Sequence, residues 1–269
     1  MSNFLSRVLV ALVGLPLVLG LVWLGGWWLF GLLALAGVVG VHEFVTMARP
    51  LRPLAPAAYA GVVLALVGAR TGGVVWMLGG FLATFVLAFL LNALAKTKAP
   101  ATAAVGSTIL SAAWIGFGLG HILLLREMHD EPRLLAFTVL LTVWAADTFA
   151  YLGGRLVGRH KLAPRVSPGK TWEGLVVGSL AGIFVSFIAL YDSRHHYLVI
   201  WEAVVLGVVV VLAAVSGDLF ESAVKRDMEV KDTGRLLGGH GGMLDRVDAL
   251  LFAGAAAYYL VLAFGPHLH

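Results

Sequence analysis

The sequence predicts an all-α, polytopic integral membrane protein with about nine transmembrane helices and a cytoplasmic N-terminus. Hydrophobic residues make up 60% of its 269 residues, against about 45–50% in soluble globular proteins. Charged residues make up 13%, about half of the usual ~25%. A soluble domain of this size could not bury so much apolar surface, and a disordered chain would be polar. The composition therefore excludes both classes.

The apolar residues are grouped into stretches that match the thickness of a bilayer, which takes about 20 helical residues to cross. The stretch at 57–70, between Pro56 and Arg70, is the shortest. The first stretch follows Arg7 and is too long for a signal-peptide core, so an uncleaved helix is expected. The nine predicted spans are about 8–24, 27–48, 57–70, 73–95, 107–125, 133–154, 172–191, 198–219 and 246–264.

Lys and Arg are distributed asymmetrically between the connections, which predicts the orientation. With the N-terminus in the cytoplasm, fifteen of the 19 basic residues fall on the cytoplasmic side. The other four are Arg70, Arg126, Arg133 and Arg194. Because an error of one span would scramble this asymmetry, it supports the nine-span topology with the N-terminus in the cytoplasm and the C-terminus outside. The cytoplasmic (inner) membrane is the expected location, since no eukaryotic targeting segment is seen in the sequence. The net charge of +4 is then an orientation signal, and no nucleic-acid partner is expected.

Polar residues are concentrated in one part of the chain. Residues 1–132 have short connections and are expected to form a helical scaffold. Residues 133–269 include two long cytoplasmic loops, 155–171 and 220–245, and long polar loops between packed spans are usually functional. Cysteine is absent, which excludes disulfides, a thiolate nucleophile and Cys-ligated metals. The catalytic site is therefore predicted in residues 133–269.

The first polar group lies near the end of the sixth span. Asp147 is followed by Tyr151 and Arg155 at helical spacing, on one face. A carboxylate at membrane depth costs about 2.5 kcal/mol or more, which makes it a functional candidate. The alternative is a buried ion pair with a neighbouring Arg. His42 and Glu43 in the second span are similarly open between a functional role and exposure at the cytoplasmic mouth.

The second group is the segment Ser167-Pro-Gly-Lys170-Thr171-Trp-Glu173. It is not a Walker loop, because the required preceding glycine is Pro164 and no buried strand precedes it. Ser, Lys and Thr beside a helix start can still hold phosphate oxygens. Ser167 is also a plausible N-cap, with Pro168 as the first helical residue. Gly174, Gly178 and Gly182 follow at a spacing typical of helix packing, as do Gly116 and Gly120.

The third group carries the most chemistry. Asp218, Glu221, Ser222 and Lys225 form one helical stripe, and Asp245 and Asp248 are three residues apart on the next helix. Carboxylates from two helices suit a hard divalent cation. Lys and Arg between them, including Arg226, suit the phosphates that such a cation would bridge. The glycine-rich turn at 238–242 contains His240, and its N–H groups could contact an anion.

These residues resemble the signature of the phosphatidate cytidylyltransferase (CDP-diacylglycerol synthase) family. The upstream segments at Asp147–Tyr151 and Ser167–Gly174 resemble the family too. One difference is Gly238, where members often have Pro. The signature reads Ser222-x2-Lys225-Arg226-x4-Lys231-Asp232-x-Gly234-x2-Leu237-Gly238-x-His240-Gly241-Gly242-x2-Asp245-Arg246-x-Asp248.

The resemblance implies an all-helical membrane enzyme that joins CTP and phosphatidic acid into CDP-diacylglycerol and pyrophosphate. It also implies a requirement for Mg²⁺, with K⁺ as a further ion in the site, and a homodimer. Asp218 and the pair Asp245 and Asp248 would bind metal. Lys170, Lys225, Arg226 and His240 would lie near the substrates.

Roles can be assigned from the residue chemistry together with this resemblance. Asp218 and Asp248 are the first candidates for metal, with Asp245 and Asp147 as ligands or orienting groups. Lys225, Arg226 and Lys170 would neutralise phosphate charge, and Ser222 and Ser167 would donate hydrogen bonds to phosphate. The predicted catalytic residues are Asp218, Lys225, Arg226, Asp245 and Asp248. The predicted substrate-binding residues are Ser167, Lys170, Thr171, Ser222, Lys231, His240, Arg246 and Tyr151.

Two alternative functions stay open beside this one. A related enzyme could use CTP on another lipid phosphate or on a polyprenol, and an assay of acceptor lipids would separate the two. A non-enzymatic transporter could use Asp147 and His42–Glu43 as an ion path. Against it, the charge is concentrated in one half of the chain and at one face, whereas transporters often contain inverted repeats. Metal-dependent release of pyrophosphate would exclude a transporter.

Overall fold

The computed structural model describes residues 3–95, 100–128, 132–191, 198–234 and 241–265. The chain divides into two compact units, which are described separately below. The first unit comprises Met1–Leu124 and Asp227–Val247, and the second comprises Leu125–Arg226 and Asp248–His269. Residues 227–247 thus belong to the same unit as the N-terminal helices. The division of the chain into a scaffold, 1–132, and a catalytic part, 133–269, stays a prediction.

The first unit is built from long apolar helices. The chain turns between the second and third through a short 3₁₀ helix, Arg49–Leu51. The core between them contains Leu29, Phe44, Leu66, Ile115 and Leu119, all fully buried. The helices are α1 (Asn3–Leu24), α2 (Gly26–Met47), α3 (Ala55–Leu94), α4 (Ala101–Ser111) and α5 (Phe117–Arg126, with its last two residues in the second unit), and a π-helical segment Ala112–Gly116 joins the last two.

Helix α3 is folded back on itself at two glycines. Gly72 and Gly73 leave the helical conformation, and Gly73 has φ +67°, a backbone conformation that favours glycine. The two arms then pack closely, since a Cβ on Gly68 would lie 2.5 Å from the backbone of Trp76. A Cβ on Gly80 would lie 2.7 Å from the backbone of Leu64. The break predicted between the stretches 57–70 and 73–95 is therefore confirmed.

The second unit contains four helices and one small sheet. Its core is formed by Val139, Val143, Leu206, Val210 and Ala253, which come from three of the helices. The elements are α6 (Pro132–Val157), β1 (Lys161–Ala163), β2 (Ser167–Thr171), α7 (Trp172–Tyr191), α8 (Ile200–Asp227, with its last residue in the first unit) and α9 (Leu244–Phe264, from Asp248 onward).

The segment predicted as a loop, 155–171, contains an antiparallel β-hairpin. Strand β1 pairs with β2, with Lys161 opposite Thr171 and Ala163 opposite Ser167. The prediction of Ser167 as an N-cap and Pro168 as the first helical residue is wrong, because α7 begins at Trp172. Thr171 caps it, since its Oγ1 accepts the backbone N–H of Gly174 at 3.1 Å. Three and five residues are too short for a periodic pattern to reveal such strands.

The predicted glycine stripe packs α7 against α6. A Cβ on Gly174 would lie 2.6 Å from the carbonyl oxygen of Ala150. A Cβ on Gly178 would lie 2.5 Å from the carbonyl oxygen of Ala146. In the first unit, a Cβ on Gly116 would lie 3.2 Å from Ala65. A packing role for these glycines is confirmed, because any side chain there would push the helices apart.

Seven helices of the described residues are long and apolar enough to cross a membrane. They are α2, α3, the continuous helix of α4 and α5, α6, α7, α8 and α9. Large apolar side chains such as Phe85, Phe89, Leu180 and Phe184 are exposed on them, as expected of surfaces that face lipid. The chain is an integral membrane protein with an almost entirely helical fold. The count of nine spans stays a prediction.

Candidate functional site

The second unit brings a lysine of the hairpin to an aspartate of α8. Lys170 Nζ lies 2.6 Å from Asp218 Oδ2, and both side chains are about one quarter to one third exposed, at 25% and 32%. Ser222, one turn further along α8, donates from Oγ to Asp218 Oδ1 at 3.4 Å. Asp218 is thus held between two groups that the sequence had placed near phosphate. The hairpin makes this ion pair possible, because its second strand, β2, brings Lys170 to Asp218 of α8.

Two further carboxylates surround Asp218. Asp147 of α6 interacts electrostatically with Asp218 and with Lys170. Asp248 of α9 interacts with Asp218, with Asp147 and with Glu221. The backbones also approach closely here, because a Cβ on Gly217 would lie 2.6 Å from the carbonyl oxygen of Asp248. We call Asp147, Lys170, Asp218, Ser222 and Asp248 the acidic site.

Asp147, which the sequence left open between a functional group and a buried ion pair, interacts electrostatically with two of the other candidate residues. These are Asp218 and Lys170, and a functional role of Asp147 stays a prediction. Tyr151, one turn later on α6, has a side chain that is 65% exposed. Asp147 therefore shares a site with other functional candidates, whereas Tyr151 points outward from its helix.

The basic residues at the end of α8 are engaged with neighbouring groups. Lys225 Nζ lies 2.7 Å from Glu221 Oε2, and Glu221 is only 1% exposed. Arg226 donates from Nε to the backbone carbonyl of Val166 at 3.2 Å. Lys225 therefore compensates a buried charge, and Arg226 ties α8 to the turn of the hairpin. Their contact with phosphate stays a prediction.

Glu173, the second residue of α7, fixes the base of the hairpin. Its carboxylate accepts the backbone N–H of Arg159 at 3.0 Å and that of His160 at 3.2 Å. It also lies 2.6 Å from Nδ1 of His160. Thr171, the last residue of β2, is buried and caps α7, whereas Ser167 and Lys170 are partly accessible. Glu173 therefore joins the start of α7 to the residues before β1, a contact that the sequence did not predict.

Replacing Glu173 by glutamine is expected to loosen the hairpin. Glutamine keeps the size of the side chain but replaces one acceptor oxygen with a donor, so the bonds to Arg159 and His160 cannot all form. Trypsin should then cut the exposed basic residues of the hairpin about tenfold faster than in the wild type. Glu229→Gln, at an exposed glutamate in another connection, is the control. Equal cutting of both variants would contradict a role of Glu173 in the hairpin.

The first unit contains a separate group of carboxylates, around Glu43. Glu43 of α2 is 4% exposed and accepts the backbone N–H groups of Met243 at 2.8 Å and Leu244 at 2.9 Å. The hydroxyl of Thr233 lies 3.2 Å from Glu43 Oε2 and 3.0 Å from Asp245 Oδ2. Glu43, Thr233 and Asp245 thus join α2 to the start of α9. We call these three residues the anchor group.

The remaining predicted residues are placed as follows. Asp245 belongs to the anchor group, where its Oδ2 also accepts the N–H of Gly242 at 2.8 Å. Lys231 and Arg246 are exposed in the first unit. His240 and the turn residues 238–239 lie outside the described residues. His42 Nδ1 lies 3.0 Å from the hydroxyl of Tyr59.

Sequence reasoning missed two of these residues. Thr233 stands between Asp232 and Gly234 in the signature, and Glu173 stands in the upstream segment. Their positions inside the motifs were the available signal. Neither residue lies at a spacing that predicts its partner, because those partners come from other parts of the chain.

The acidic site offers suitable donors for a metal ion. Asp147, Asp218 and Asp248 supply the carboxylate oxygens that Mg²⁺ prefers. In the part of the chain that the structure describes, no group of three or more Asp, Glu or His side chains is arranged as a complete metal site. Mg²⁺ usually binds one or two carboxylates together with water and substrate phosphates. The three carboxylates are thus of the ligand type that Mg²⁺ prefers, and metal binding at the acidic site stays a prediction.

Comparison with known proteins covers nearly the whole chain. A family model described as the cytidylyltransferase family matches residues 5–264. A phosphatidate cytidylyltransferase of Synechocystis is 32% identical, over 98% of this chain and 98% of its own length. One of Staphylococcus haemolyticus is 31% identical, over 91% of this chain and 94% of its own length. Phosphatidate cytidylyltransferase 4, chloroplastic, of Arabidopsis thaliana is 33% identical, over 97% of this chain and 74% of its own length.

Proposed function

The chain belongs to the cytidylyltransferase family, and on that premise we propose that it transfers the cytidylyl group of CTP to phosphatidic acid. The products are CDP-diacylglycerol and pyrophosphate, and the reaction serves phospholipid biosynthesis. The observation that carries the proposal is the acidic site, where Lys170 meets Asp218 beside Asp147 and Asp248. Its donors suit a reaction between two phosphate-bearing substrates.

The chemistry requires charge neutralisation more than a strong base. An oxygen of the lipid phosphate attacks the α-phosphorus of CTP, and the bond from that phosphorus to the bridging oxygen breaks to release pyrophosphate. The attacking oxygen is already anionic. The obstacles are the repulsion between two anions and the charge on the leaving group, which cations can offset. Lys170 is placed for this task, and its partner Asp218 keeps it oriented before the phosphates bind.

Mg²⁺ is the metal that we propose for the acidic site. Asp218 and Asp248 would hold it, with Asp147 as a further ligand or as an orienting group. When bound, the ion would supply positive charge to the phosphate oxygens of CTP and to the leaving pyrophosphate. Lys170 would exchange Asp218 for a phosphate oxygen when CTP enters. A K⁺ ion beside the Mg²⁺ is a further expectation.

We propose that the acidic site faces the cytoplasm from the inner membrane. The support is the distribution of basic residues, of which fifteen of 19 fall on one side of the predicted topology. CTP is a cytoplasmic substrate, and the acyl chains of phosphatidic acid stay in the bilayer while its phosphate reaches the site. A homodimer is part of the proposal and can be tested by the mass of the protein in detergent.

Pyrophosphate release by the purified protein tests this function. The assay combines CTP, phosphatidic acid and Mg²⁺, and each is omitted in turn. We expect release only with all three, together with formation of CDP-diacylglycerol. A panel with other lipid phosphates and a polyprenol distinguishes a related CTP-using enzyme. No release with any acceptor would contradict the proposal and favour a transporter.

Replacing Lys170 by methionine is expected to lower kcat/KM for CTP about 10- to 100-fold, because a charge-assisted contact to phosphate is lost. Methionine keeps the length of the side chain and removes the charge. Lys161→Met is the matched control, since Lys161 is exposed on the opposite strand of the hairpin. It should keep the wild-type kcat/KM. Equal losses of kcat/KM in both variants would mean that Lys170 acts only through the overall positive charge of the hairpin and makes no specific contact with phosphate.

A further inference from the structure

We infer that Glu43 is a positioning residue that holds Thr233, Gly234 and residues 242–244 at the start of α9 in their working positions. The inference rests on the proposed function, because Lys231 stands two residues before Thr233 and Arg246 lies in the first turn of α9, and the sequence predicts that both bind substrate. Glu43 itself lies far away in the chain, about 200 positions before the residues that it contacts. None of the sequence motifs includes it.

The contacts of Glu43 use both oxygens of its carboxylate. Oε1 accepts the N–H of Met243 at 2.8 Å, and Oε2 accepts the N–H of Leu244 at 2.9 Å. These are among the backbone N–H groups at the start of α9 that have no partner within the helix. The hydroxyl of Thr233 lies 3.2 Å from Oε2. One buried carboxylate thus contacts Thr233 on one side of residues 235–240 and both Met243 and Leu244 on the other side.

Two glycines of the connection between α8 and α9 lie close to the carboxylate of Glu43. A Cβ on Gly234 or on Gly242 would lie 2.5 Å from a carboxylate oxygen of Glu43. Both glycines belong to the signature, so two of its small residues are explained by the room that Glu43 occupies. Gly40, one turn earlier on α2, packs against Leu244, where a Cβ would lie 2.9 Å from Leu244 Cδ2. Helix α2 therefore contacts Gly234, Gly242 and the first residue of α9, Leu244.

Thr233 couples Glu43 to Asp245. Its hydroxyl reaches both carboxylates, and its N–H is donated to Asp245 Oδ2 at 3.1 Å. Asp245 also accepts the N–H of Gly242, just before α9 begins. A change at Glu43 is thus transmitted to the residues on either side of the turn. Arg246 follows directly and moves with this helix start.

The first experiment measures anchoring without assuming a reaction. Hydrogen–deuterium exchange is followed in peptides that contain Met243 and Leu244, in the full-length protein and in Glu43→Gln. Glutamine has only one acceptor oxygen, so one of the two N–H groups loses its partner. We expect exchange about tenfold faster in the variant at these amides. Unchanged exchange would overturn the inference.

The second experiment separates positioning from general stability. Activity is measured per folded molecule, with CTP varied at saturating phosphatidic acid. Loss of a buried charged hydrogen bond predicts kcat/KM for CTP about 10- to 100-fold lower, with KM raised at least about threefold. A purely structural role would reduce the amount of folded enzyme and leave KM unchanged. A wild-type KM in Glu43→Gln would therefore overturn the inference.

Glu202→Gln is the matched control. Glu202 is also buried, at 1% exposed, and it accepts the N–H of Val199 at 3.0 Å in the first turn of α8. It should keep the wild-type KM for CTP even if the variant is less stable. If both variants raised KM equally, Glu43 would have no special role. Thr233→Val provides a second test should Glu43→Gln fail to fold, because it removes one contact of Glu43 and keeps its carboxylate.

The two experiments distinguish failure of this inference from failure of the proposed function. If the wild-type protein made no CDP-diacylglycerol from CTP and phosphatidic acid, the proposed function would be contradicted. The exchange measurement would still test whether Glu43 anchors Met243 and Leu244. Wild-type activity together with unchanged exchange and KM in Glu43→Gln would contradict only the inference.

Discussion

Replacement of Asp218 by asparagine is expected to abolish turnover, a loss of at least about 1000-fold, while the protein stays folded. Asparagine has the size of aspartate and can still accept a hydrogen bond from Ser222. It cannot offset the charge of Lys170, which lies 2.6 Å away, or offer a carboxylate to Mg²⁺. The chemical step therefore loses both its proposed metal ligand and the orientation of Lys170.

The measurement is formation of CDP-diacylglycerol beside thermal unfolding of the same preparation. Asp227→Asn, at the last residue of α8, is the matched control, because Asp227 is exposed and lies outside the acidic site. It should keep the wild-type rate. An Asp218→Asn variant with substantial turnover would remove Asp218 from the proposed metal site and leave Asp147 and Asp248 as the candidates.

Replacement of Gly217 by alanine is expected to destabilise the protein by about 1–3 kcal/mol, because it overpacks the contact between α8 and α9. The added Cβ would lie 2.6 Å from the carbonyl oxygen of Asp248 and 3.2 Å from Phe252. Backbone atoms must therefore move. Asp218 lies on α8 and Asp248 on α9, and the added Cβ would push these two helices apart. Turnover should therefore also fall about 100-fold, because a displacement of about 1 Å in a site can have an effect of this size.

Gly106→Ala tests whether this effect belongs to the close contact. Gly106 lies inside α4, and no described atom lies within 4 Å of a Cβ built there. Alanine favours helix over glycine by about 0.8–1.0 kcal/mol, so this variant should be neutral or more stable. Thermal unfolding and turnover are measured for both variants. If Gly217→Ala matched Gly106→Ala in both, close packing would not be what holds Asp248 near Asp218.

The fold was predictable wherever the signal was local. A run of about 20 apolar residues must be a helix in lipid, because every backbone polar group needs a partner within its own segment. The break at Gly72–Gly73 was visible as an interruption between two such runs. A close helix contact of α7 was visible in the spacing of Gly174, Gly178 and Gly182, although its partner α6 was not. These features depend on neighbours a few residues away.

The hairpin could not be predicted in the same way. Its strands have three and five residues, and the pattern of Ser167 and Pro168 is equally typical of a helix start. In the structure this segment forms a strand instead of a helix start, because Thr171 pairs with Lys161 of the opposite strand. Glu173 also accepts the N–H of Arg159 at the base of the hairpin. The helix start then moved to Trp172, with Thr171 as its cap.

The candidate site shows the same division. Asp147 was a candidate because a carboxylate at membrane depth is costly unless it has a function. Lys170 was a candidate because it stands beside a helix start that could hold phosphate, and Asp218 and Asp248 because carboxylates from two helices suit a divalent cation. Their grouping around Asp218 follows from the packing of α6, α8 and α9. The sequence placed Asp245 beside Asp248 by helical spacing, yet the structure engages Asp245 with Thr233 and Gly242.

By itself, the sequence determined the membrane setting, the family and the positions of the long apolar helices, and it supplied the candidate site residues. Each of these depends on composition, on helical spacing or on a motif, which are properties of adjacent residues. Only the tertiary structure decided that Lys170 meets Asp218 and that Glu43 holds the start of α9. The physical reason is that a buried charge takes whichever partner packing brings within about 3 Å, and chain distance does not limit that choice.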